Sequence, residues 1–267
     1  MGQKTSSGET ITFLGTGGGR FMIISQTLAT GGLWLDLDGT EILVDPGPGC
    51  IVRTAEQHFV PENLSAIIIT HRHLDHSADL NVMVEAMARG GHNQHGTLFA
   101  PSDAFNNEPI IFSYLKNYLG GTEVLHAGGS YNIGDVSFTT PVRHLHRMET
   151  YGIIFRTEKH SFSYIVDTRY FEGIEKYYKN DLIIINTLFY ESRPHTDNPL
   201  TPTDHLSVPD AEQIIRTIKP KTAIITHFGM NVWREDPQKV AAEMTEKTGY
   251  KVIAAEYGMK FDLAELD

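Results

Sequence analysis

The sequence lacks the features that define several protein classes. Its 267 residues include one cysteine, Cys50, which excludes an internal disulfide and favours a reducing compartment. No apolar run approaches the ~20 residues that a membrane-spanning helix needs. The first ten residues also lack the apolar core of a secretory signal. We therefore expect a cytoplasmic protein with no membrane partner.

Basic residues are scarce as well. Lysine and arginine number 22 against 33 aspartates and glutamates, which gives a formal net charge of −11. A protein that coats nucleic acid would normally present a basic face, so this class is disfavoured, although a locally positive site remains compatible with the composition. Hydrophobic residues make up 40% of the chain, which is enough to bury a sizeable core.

Short β-rich runs alternate with amphipathic segments along the chain. Asp38-Gly39 lies between two apolar runs and predicts a tight hairpin. Ser207 is a plausible N-cap for a helix that Pro220 follows. Helices are predicted over 80–89, 110–118, 209–218 and 237–248. This order of elements predicts an α/β fold, with two packed sheets and helices on their outer faces, in one continuous domain over residues 1–267.

Histidine is the abundant residue, with 13 copies, and it is concentrated after one apolar run. Ala66–Ile69 predicts a buried strand, and Thr70-His-Arg-His-Leu-Asp-His76 follows it directly. The spacing places His71 and His73 on one side of an extended segment, while Asp75 and His76 can face a second point. Zinc, manganese or iron suits such a mixture of imidazole and carboxylate, so one loop can supply ligands to two adjacent cations.

This histidine segment resembles the signature loop of the metallo-β-lactamase fold superfamily. The opening strand and glycine run Ile11–Gly19 and the turn Leu43–Gly47 resemble the same superfamily, nearest its tRNase Z and cyclic phosphodiesterase branches. The resemblance implies a four-layer αβ/βα sandwich and a metal-dependent hydrolase. Taken alone, the glycine run fits either a phosphate-binding nest or a tight turn, and no helix is predicted after it.

The resemblance also implies a complete set of metal ligands. His146 rather than His144 matches the third ligand histidine, because Tyr151-Gly152 follows it at the family's spacing. Asp45 would orient a ligand imidazole, and His144 would support a metal ligand without contacting the ion, or would simply be a polar residue that faces the cleft. The implied cofactor is two divalent ions, with zinc expected and manganese or iron as the alternatives. The first ion would be held by His71, His73 and His146, the second by Asp75, His76 and His227, and both by Asp167.

Two side chains are assigned catalytic roles by the same resemblance. His205, which precedes the predicted helix N-cap, would donate a proton to the leaving oxygen, and Asp75 would orient the nucleophile. A small anionic substrate, a small or cyclic phosphodiester, is the favoured interpretation. The interval from His146 to Asp167 is too short for the long arm of a tRNA-processing enzyme.

Several alternatives stay open. A tRNase Z-like ribonuclease or a lactone or thioester hydrolase would use the same ligands, and a metal-binding sensor module would use them without catalysis. The proline-containing segment Ser192–Thr203 is a candidate substrate loop. A homodimer agrees with the resemblance, but no segment identifies an interface.

Overall fold

The protein folds around two β-sheets of seven strands each. The computed structural model describes residues 8–106, 108–196, 198 and 203–267. In spatial order, the first sheet is β14-β1-β2-β3-β4-β5-β6 and the second is β13-β12-β11-β10-β9-β8-β7. The strands of the first sheet are β1 (Thr10–Gly15), β2 (Thr30–Leu37), β3 (Thr40–Val44), β4 (Leu64–Ile68), β5 (Thr97–Pro101), β6 (Gly121–Leu125) and β14 (Lys260–Asp262). Those of the second sheet are β7 (Gly129–Ile133), β8 (Val136–Thr140), β9 (Ile153–Arg156), β10 (Ser161–Ile165), β11 (Leu182–Asn186), β12 (Thr222–Thr226) and β13 (Lys251–Ala254).

Each sheet combines antiparallel and parallel strands. Strands β3 to β6 run parallel to one another, and so do β10 to β13. The predicted hairpin between β2 and β3 is confirmed, and Asp38 and Gly39 both have positive φ, at 51° and 81°, as a two-residue type I′ turn requires.

Helices cover the outer faces of both sheets. Between the sheets, buried side chains from both inner faces form one apolar cluster, to which Phe13 and Leu35 contribute from the first sheet and Phe138 and Phe155 from the second. The layers thus form the four-layer αβ/βα sandwich that was predicted. The α-helices are α1 (Arg20–Ser25), α2 (Cys50–Glu56), α3 (Leu74–Ser77), α4 (Leu80–Met87), α5 (Val208–Ile218), α6 (Met230–Arg234) and α7 (Pro237–Thr248).

The predicted N-terminus of α5 is confirmed in detail. The Ser207 hydroxyl accepts from the Asp210 amide at 3.4 Å, and the Asp210 carboxylate accepts from the Ser207 amide at 2.9 Å. This reciprocal pair satisfies two amides that the first helical turn leaves without partners. The loop that carries His205 therefore enters the helix at a fixed point.

The predicted helix over 110–118 is wrong. Only Leu115–Tyr118 forms a short 3₁₀ turn. The Asn81 side chain donates to the Ile110 carbonyl at 2.8 Å and accepts from the Phe112 amide at 2.9 Å. The first bond occupies the carbonyl that would accept the first hydrogen bond of an α-helix beginning at Ile110, so a tertiary contact competes with the local pattern.

Sequence patterns missed several strands and helices. Strands β6, β7 and β14 and helices α1, α2, α3 and α6 were not predicted. Helix α1 begins directly after the glycine run, where no helix was expected. Only Met22 of its six residues is buried, so it has no apolar period to detect. Within the described residues, no helix has the length and apolar character needed to cross a membrane.

Candidate metal centre

The candidate site lies where the carboxyl ends of parallel strands from both sheets meet. Strand β4 leads into the loop that carries His71 to His76. In the second sheet, β10 leads to Asp167 and β12 leads to His227. Loops at this edge of an α/β sheet commonly bind ligands. The seven side chains predicted to hold metal, called the seven candidate ligands below, converge here: His71, His73, Asp75, His76, His146, Asp167 and His227.

The first group within the site consists of three imidazoles. His71 Nε2 lies 3.1 Å from His73 Nδ1, and His73 Nδ1 lies 3.0 Å from His146 Nε2. Nitrogens at the usual zinc distance of about 2.0–2.1 Å would lie about 3.3 Å apart around a tetrahedral ion. The three nitrogens therefore have nearly the spacing of ligands around one cation.

The second group joins two imidazoles and two carboxylates. His76 Nε2 lies 3.0 Å from His227 Nε2. Asp75 Oδ2 lies 3.4 Å from His227 Nε2, and Asp167 Oδ2 lies 3.5 Å from His76 Nε2. Asp167 Oδ2 is also 3.6 Å from His71 Nε2 of the first group. This carboxylate thus stands between the two groups, where a bridging ligand would stand.

The carboxylate of Asp45 holds the loop that carries His71 to His76 in place through hydrogen bonds. Its carboxylate accepts from the Thr70 amide and hydroxyl, each at 2.7 Å, and lies 2.9 Å from His76 Nδ1. A bond to Nδ1 leaves Nε2 of His76 free for a metal. Asp45 has a φ of 53°, in the left-handed region, as does His227 at 61°. Strained backbone of this kind is concentrated at functional sites.

Asp167 is fixed by two neighbours, one of which was not predicted. Asn186, at the end of β11, donates from Nδ2 to Asp167 Oδ1 at 3.0 Å. His144 Nδ1 lies 3.2 Å from the Asp167 carbonyl, and His144 Nε2 lies 2.6 Å from the Tyr178 hydroxyl. Because a carbonyl only accepts, His144 Nδ1 carries the proton and Tyr178 donates to Nε2. Asn186 ends an apolar strand and Tyr178 lies in a charged segment, and neither sequence context gives a signal of this role.

The two histidines of the β8–β9 loop lie on different sides of the site. His146 joins His73, whereas His144 is buried behind Asp167. A Cβ on Gly152 would lie 2.5 Å from the Tyr178 hydroxyl and 2.8 Å from His144 Nε2, so only glycine fits there. The family spacing that assigned His146 as the third ligand ends at Gly152. This contact explains why that position must be a glycine.

His205 lies beside both groups. Its Nδ1 is 3.3 Å from Asp167 Oδ2, and the preceding carbonyl of Asp204 accepts from His146 Nδ1 at 2.8 Å. The His205 side chain is 9% exposed. His205 also fits a third potential metal-binding group with His146 and Asp167. The loop before α5 therefore orients one candidate ligand and places another imidazole in the cavity.

The glycine run packs against two members of the second group, Asp75 and His227. Gly19 donates its amide to Asp75 Oδ2 at 2.8 Å, and Gly18 donates to the Phe228 carbonyl at 3.1 Å. A Cβ on Gly18 would lie 2.2 Å from His227 Nδ1, so the backbone passes directly against that ring. The run thus serves close packing around Asp75 and His227, an outcome that neither sequence interpretation described.

Burial and neighbouring charges set the protonation of the site. Burial, with the imidazoles of His76 and His146, holds the pKa of His71 well below its ordinary value. Burial also lowers the pKa of His146 to about 3. Burial opposes ionisation of Asp167, but the imidazoles of His227 and His205 outweigh it and hold that pKa well below the ordinary value. The imidazoles of His71 and His146 are therefore neutral beside an ionised Asp167, which is the state that metal binding needs. Burial opposes protonation of His76, but the carboxylates of Asp45, Asp75 and Asp167 outweigh it and raise the pKa of His76 well above its ordinary value, so a metal ion would have to displace that proton.

The donor set fits divalent cations. Asp45 and Asp167 are buried and the Asp75 side chain is only 8% exposed, and among the described residues none of these carboxylates forms a salt bridge with lysine or arginine. Buried side-chain atoms without a hydrogen-bond partner include Asp167 Oδ2, His205 Nδ1 and His227 Nδ1, which all face this site. Unpaired buried charge is costly, and a bound cation would compensate it.

A cavity of about 1000 Å³ opens onto the candidate ligands. His73, Asp75, His146 and His205 form its floor. Arg193 and Thr203, at the two ends of the candidate substrate loop, also line it. Residues 197 and 199–202 of that loop lie outside the described residues. The arginines around the cavity are Arg20, Arg147, Arg193 and Arg234.

Comparison with known proteins identifies a matching family, a relative over nearly the full length and a relative over part of the chain. The family described as "Beta-lactamase superfamily domain" matches residues 40–228. The uncharacterized protein MJ1374 of Methanocaldococcus jannaschii is 30% identical over 261 residues, which cover 95% of this chain and 94% of that protein. A ribonuclease Z of Kineococcus radiotolerans is 32% identical over 97 residues, covering 36% of this chain and 30% of that protein.

Solved structures share the fold at lower sequence identity. The metallo-beta-lactamase fold protein YhfI from Bacillus subtilis has a TM-score of 0.79 at 19% identity, over 96% of this chain and 100% of that chain. A diphosphatase from the PhnP family has a TM-score of 0.72 at 18% identity, over 96% and 98%. From the family match, the full-length relative and the shared architecture, we conclude that the chain belongs to the beta-lactamase superfamily, in the metallo-β-lactamase-fold family of hydrolases.

Proposed function

We propose that the protein is a metal-dependent phosphodiesterase that hydrolyses a small or cyclic phosphodiester. The observation that carries this proposal is the set of four arginines around the cavity of a chain whose net charge is −11. Guanidinium groups bind phosphate oxygens in a planar, bidentate geometry, and they offer less to a neutral lactone or thioester. The locally positive cavity therefore favours an anionic substrate.

The seven candidate ligands would hold two divalent ions, with zinc expected and manganese or iron as alternatives. Such ions lower the pKa of water and stabilise charge on phosphate oxygens. Within the protein, Asp167 would serve both ions, because it stands between the two groups. Asp75 Oδ2, held by the Gly19 amide at 2.8 Å, is fixed where it can orient the attacking water.

His205 would supply the proton that the leaving oxygen needs. Its Nδ1 faces Asp167 Oδ2 at 3.3 Å, so Nε2 is the nitrogen available to the cavity. Phe189 packs edge-on against the His205 ring with centroids 5.7 Å apart and limits its rotation. A positioned imidazole of this kind contributes about 10²–10⁴-fold to a proton-transfer step.

The alternatives receive less support. The interval between His146 and Asp167 contains the β9–β10 hairpin and has no room for a long RNA-binding arm. Cys50, the only cysteine, is buried beside Thr54 in α2, and so no thiolate joins the site. A sensor module would not need His205 directed at the candidate ligands. Ribonuclease Z-like activity remains the second candidate because of the partial likeness to ribonuclease Z.

A substrate panel with a matched variant tests the proposal. Protein purified without chelator should turn over linear or cyclic phosphodiesters with zinc or manganese. His205→Ala should lose about 10²–10⁴-fold in kcat while it keeps its metal content, whereas His92→Ala, at an exposed position, should match wild type. Cleavage of lactones or thioesters without phosphodiester turnover would refute the proposal. Loss of metal from His205→Ala would instead identify His205 as a ligand.

A further inference from the structure

The cavity beside the candidate metal centre has an apolar lip. We use this term for Phe21, Ile24 and Leu74, which line the cavity and are 68%, 80% and 68% exposed. Large apolar side chains left this exposed are unfavourable in water, and several of them around one cavity indicate a binding surface. Here the group is continuous with a cavity that also contains candidate metal ligands.

Local structure explains why the lip faces the cavity. Phe21 and Ile24 are three residues apart in α1 and so share one face of the helix. The opposite side of α1 is anchored by Met22, whose sulfur accepts from the Leu28 amide at 3.3 Å. The helix follows Gly19, which is bonded to Asp75. The lip is therefore held in a fixed position relative to Asp75. Gly19 ties α1 to the Asp75 carboxylate, and Leu74 directly precedes Asp75 in the chain.

Another part of the cavity wall has a different chemistry. Phe189 contacts the His205 ring, and the Arg193 guanidinium lies 4.2 Å from the centre of the Phe189 ring. Since His205 would protonate the leaving oxygen, this side would hold the leaving group. The lip, next to Asp75 and the glycine run, would then face the substituent that stays on the phosphate.

We propose that Phe21 and Ile24 determine specificity by binding an apolar or aromatic substituent on the non-leaving oxygen of the phosphodiester. This inference rests on the proposed function. In the reaction, a water oxygen forms a bond to phosphorus and the bond from phosphorus to the leaving oxygen breaks. The leaving oxygen gains a proton, and the apolar substituent remains on the monoester product. The apolar substituent would cover the lip and remove its side chains from water.

Two substrates with one leaving group isolate this contact. Phenyl p-nitrophenyl phosphate and methyl p-nitrophenyl phosphate both release p-nitrophenol but differ in the substituent that remains. Wild-type protein should prefer the phenyl ester in kcat/KM, after correction for the uncatalysed rates. A Phe21→Ser/Ile24→Ser double variant should lower this phenyl-to-methyl ratio about tenfold or more.

A matched control variant separates the lip from general surface effects. Phe112→Ser changes an aromatic side chain that is 56% exposed and lies outside the cavity lining, so its ratio should equal that of wild type. Unchanged thermal unfolding of both variants confirms that they fold. A wild-type enzyme that hydrolyses both esters, with a ratio that the double variant does not change, would overturn the lip assignment while the proposed function stands. A wild-type protein that hydrolyses no phosphodiester would overturn the proposed function itself.

Discussion

The two sheets contribute to the candidate metal centre in different ways. The first sheet supplies His71, His73, Asp75 and His76 from one loop after β4. The second sheet supplies one candidate ligand from each of three separate loops, at His146, Asp167 and His227. A single loop sets its own spacing through the backbone, whereas separate loops need the whole sheet to bring their side chains together.

The supports of the two halves differ accordingly. Asp45 holds the first half through its own carboxylate, next to the strand that carries the loop. The second half is held largely through backbone carbonyls, since the Asp167 carbonyl accepts from His144 and the Asp204 carbonyl accepts from His146. Among the candidate ligands, it is the imidazole of His76 to which Asp45 bonds directly, whereas Asp167 stands between both groups. We therefore expect damage to Asp45 to weaken mainly the ion at His76 and damage around Asp167 to weaken both ions.

The largest effect is expected from Asp167→Asn. Because Asp167 Oδ2 stands between the two groups, the loss of its charge should remove both ions and reduce hydrolysis to background. Metal content per chain by mass spectrometry measures this result. Asp135→Asn, at an exposed position, is the control and should retain wild-type content. Retention of both ions in Asp167→Asn would rule out the bridging assignment.

A smaller and selective effect is expected from Asp45→Asn. The amide cannot accept from the Thr70 amide, the Thr70 hydroxyl and His76 Nδ1 as the carboxylate does. Affinity for the ion at His76 should fall about 10–100-fold, while the ion among His71, His73 and His146 stays bound. Titration with zinc under calorimetry can resolve the two affinities. Equal weakening of both affinities would contradict the assignment of Asp45 to the ion at His76.

A modest effect is expected from Tyr178→Phe. Removal of the hydroxyl leaves buried His144 Nε2 without its donor, which costs about 1–3 kcal/mol in the free energy of unfolding. Metal affinity should weaken only a few-fold, because His144 still bonds to the Asp167 carbonyl. Tyr177→Phe, at the exposed neighbour, is the control for both measurements. An unchanged metal affinity would limit Tyr178 to a packing role.

The smallest effect is expected at His160, which forms ion pairs away from the metal centre. His160, in the β9–β10 turn, lies 2.5 Å from Glu9 Oε2 and 3.3 Å from Asp267 Oδ1. Burial opposes its protonation, but these two carboxylates prevail and raise the pKa of His160 above its ordinary value. This contribution to the free energy of unfolding should be complete below pH about 6.5, and should disappear as pH rises through the raised pKa.

Urea unfolding at pH 6, 7 and 8 tests this pH dependence. The stability difference between wild type and His160→Gln should shrink as pH rises across this range. His126→Gln, at an exposed position, should show no such trend relative to wild type. A difference that stays constant with pH would show that His160 contributes packing rather than charge.

The same contrast explains what the sequence could predict. The loop from His71 to His76 is dense enough to identify from spacing alone, and the strands that lead to Asp167 and His227 are strongly apolar. Tyr178 and Asn186 could not be found, because their roles arise from packing between residues distant in the chain. Helix α1 was missed for a related reason, since it buries only Met22 and exposes the apolar residues that form the lip.

The central claim is that the seven candidate ligands hold two cations. Crystals grown with zinc and measured at the zinc absorption edge test it most directly. The account predicts two anomalous peaks, one among His71, His73 and His146 and the other among Asp75, His76 and His227, with Asp167 contacting both. A single peak, or no peak within reach of these side chains, would contradict it.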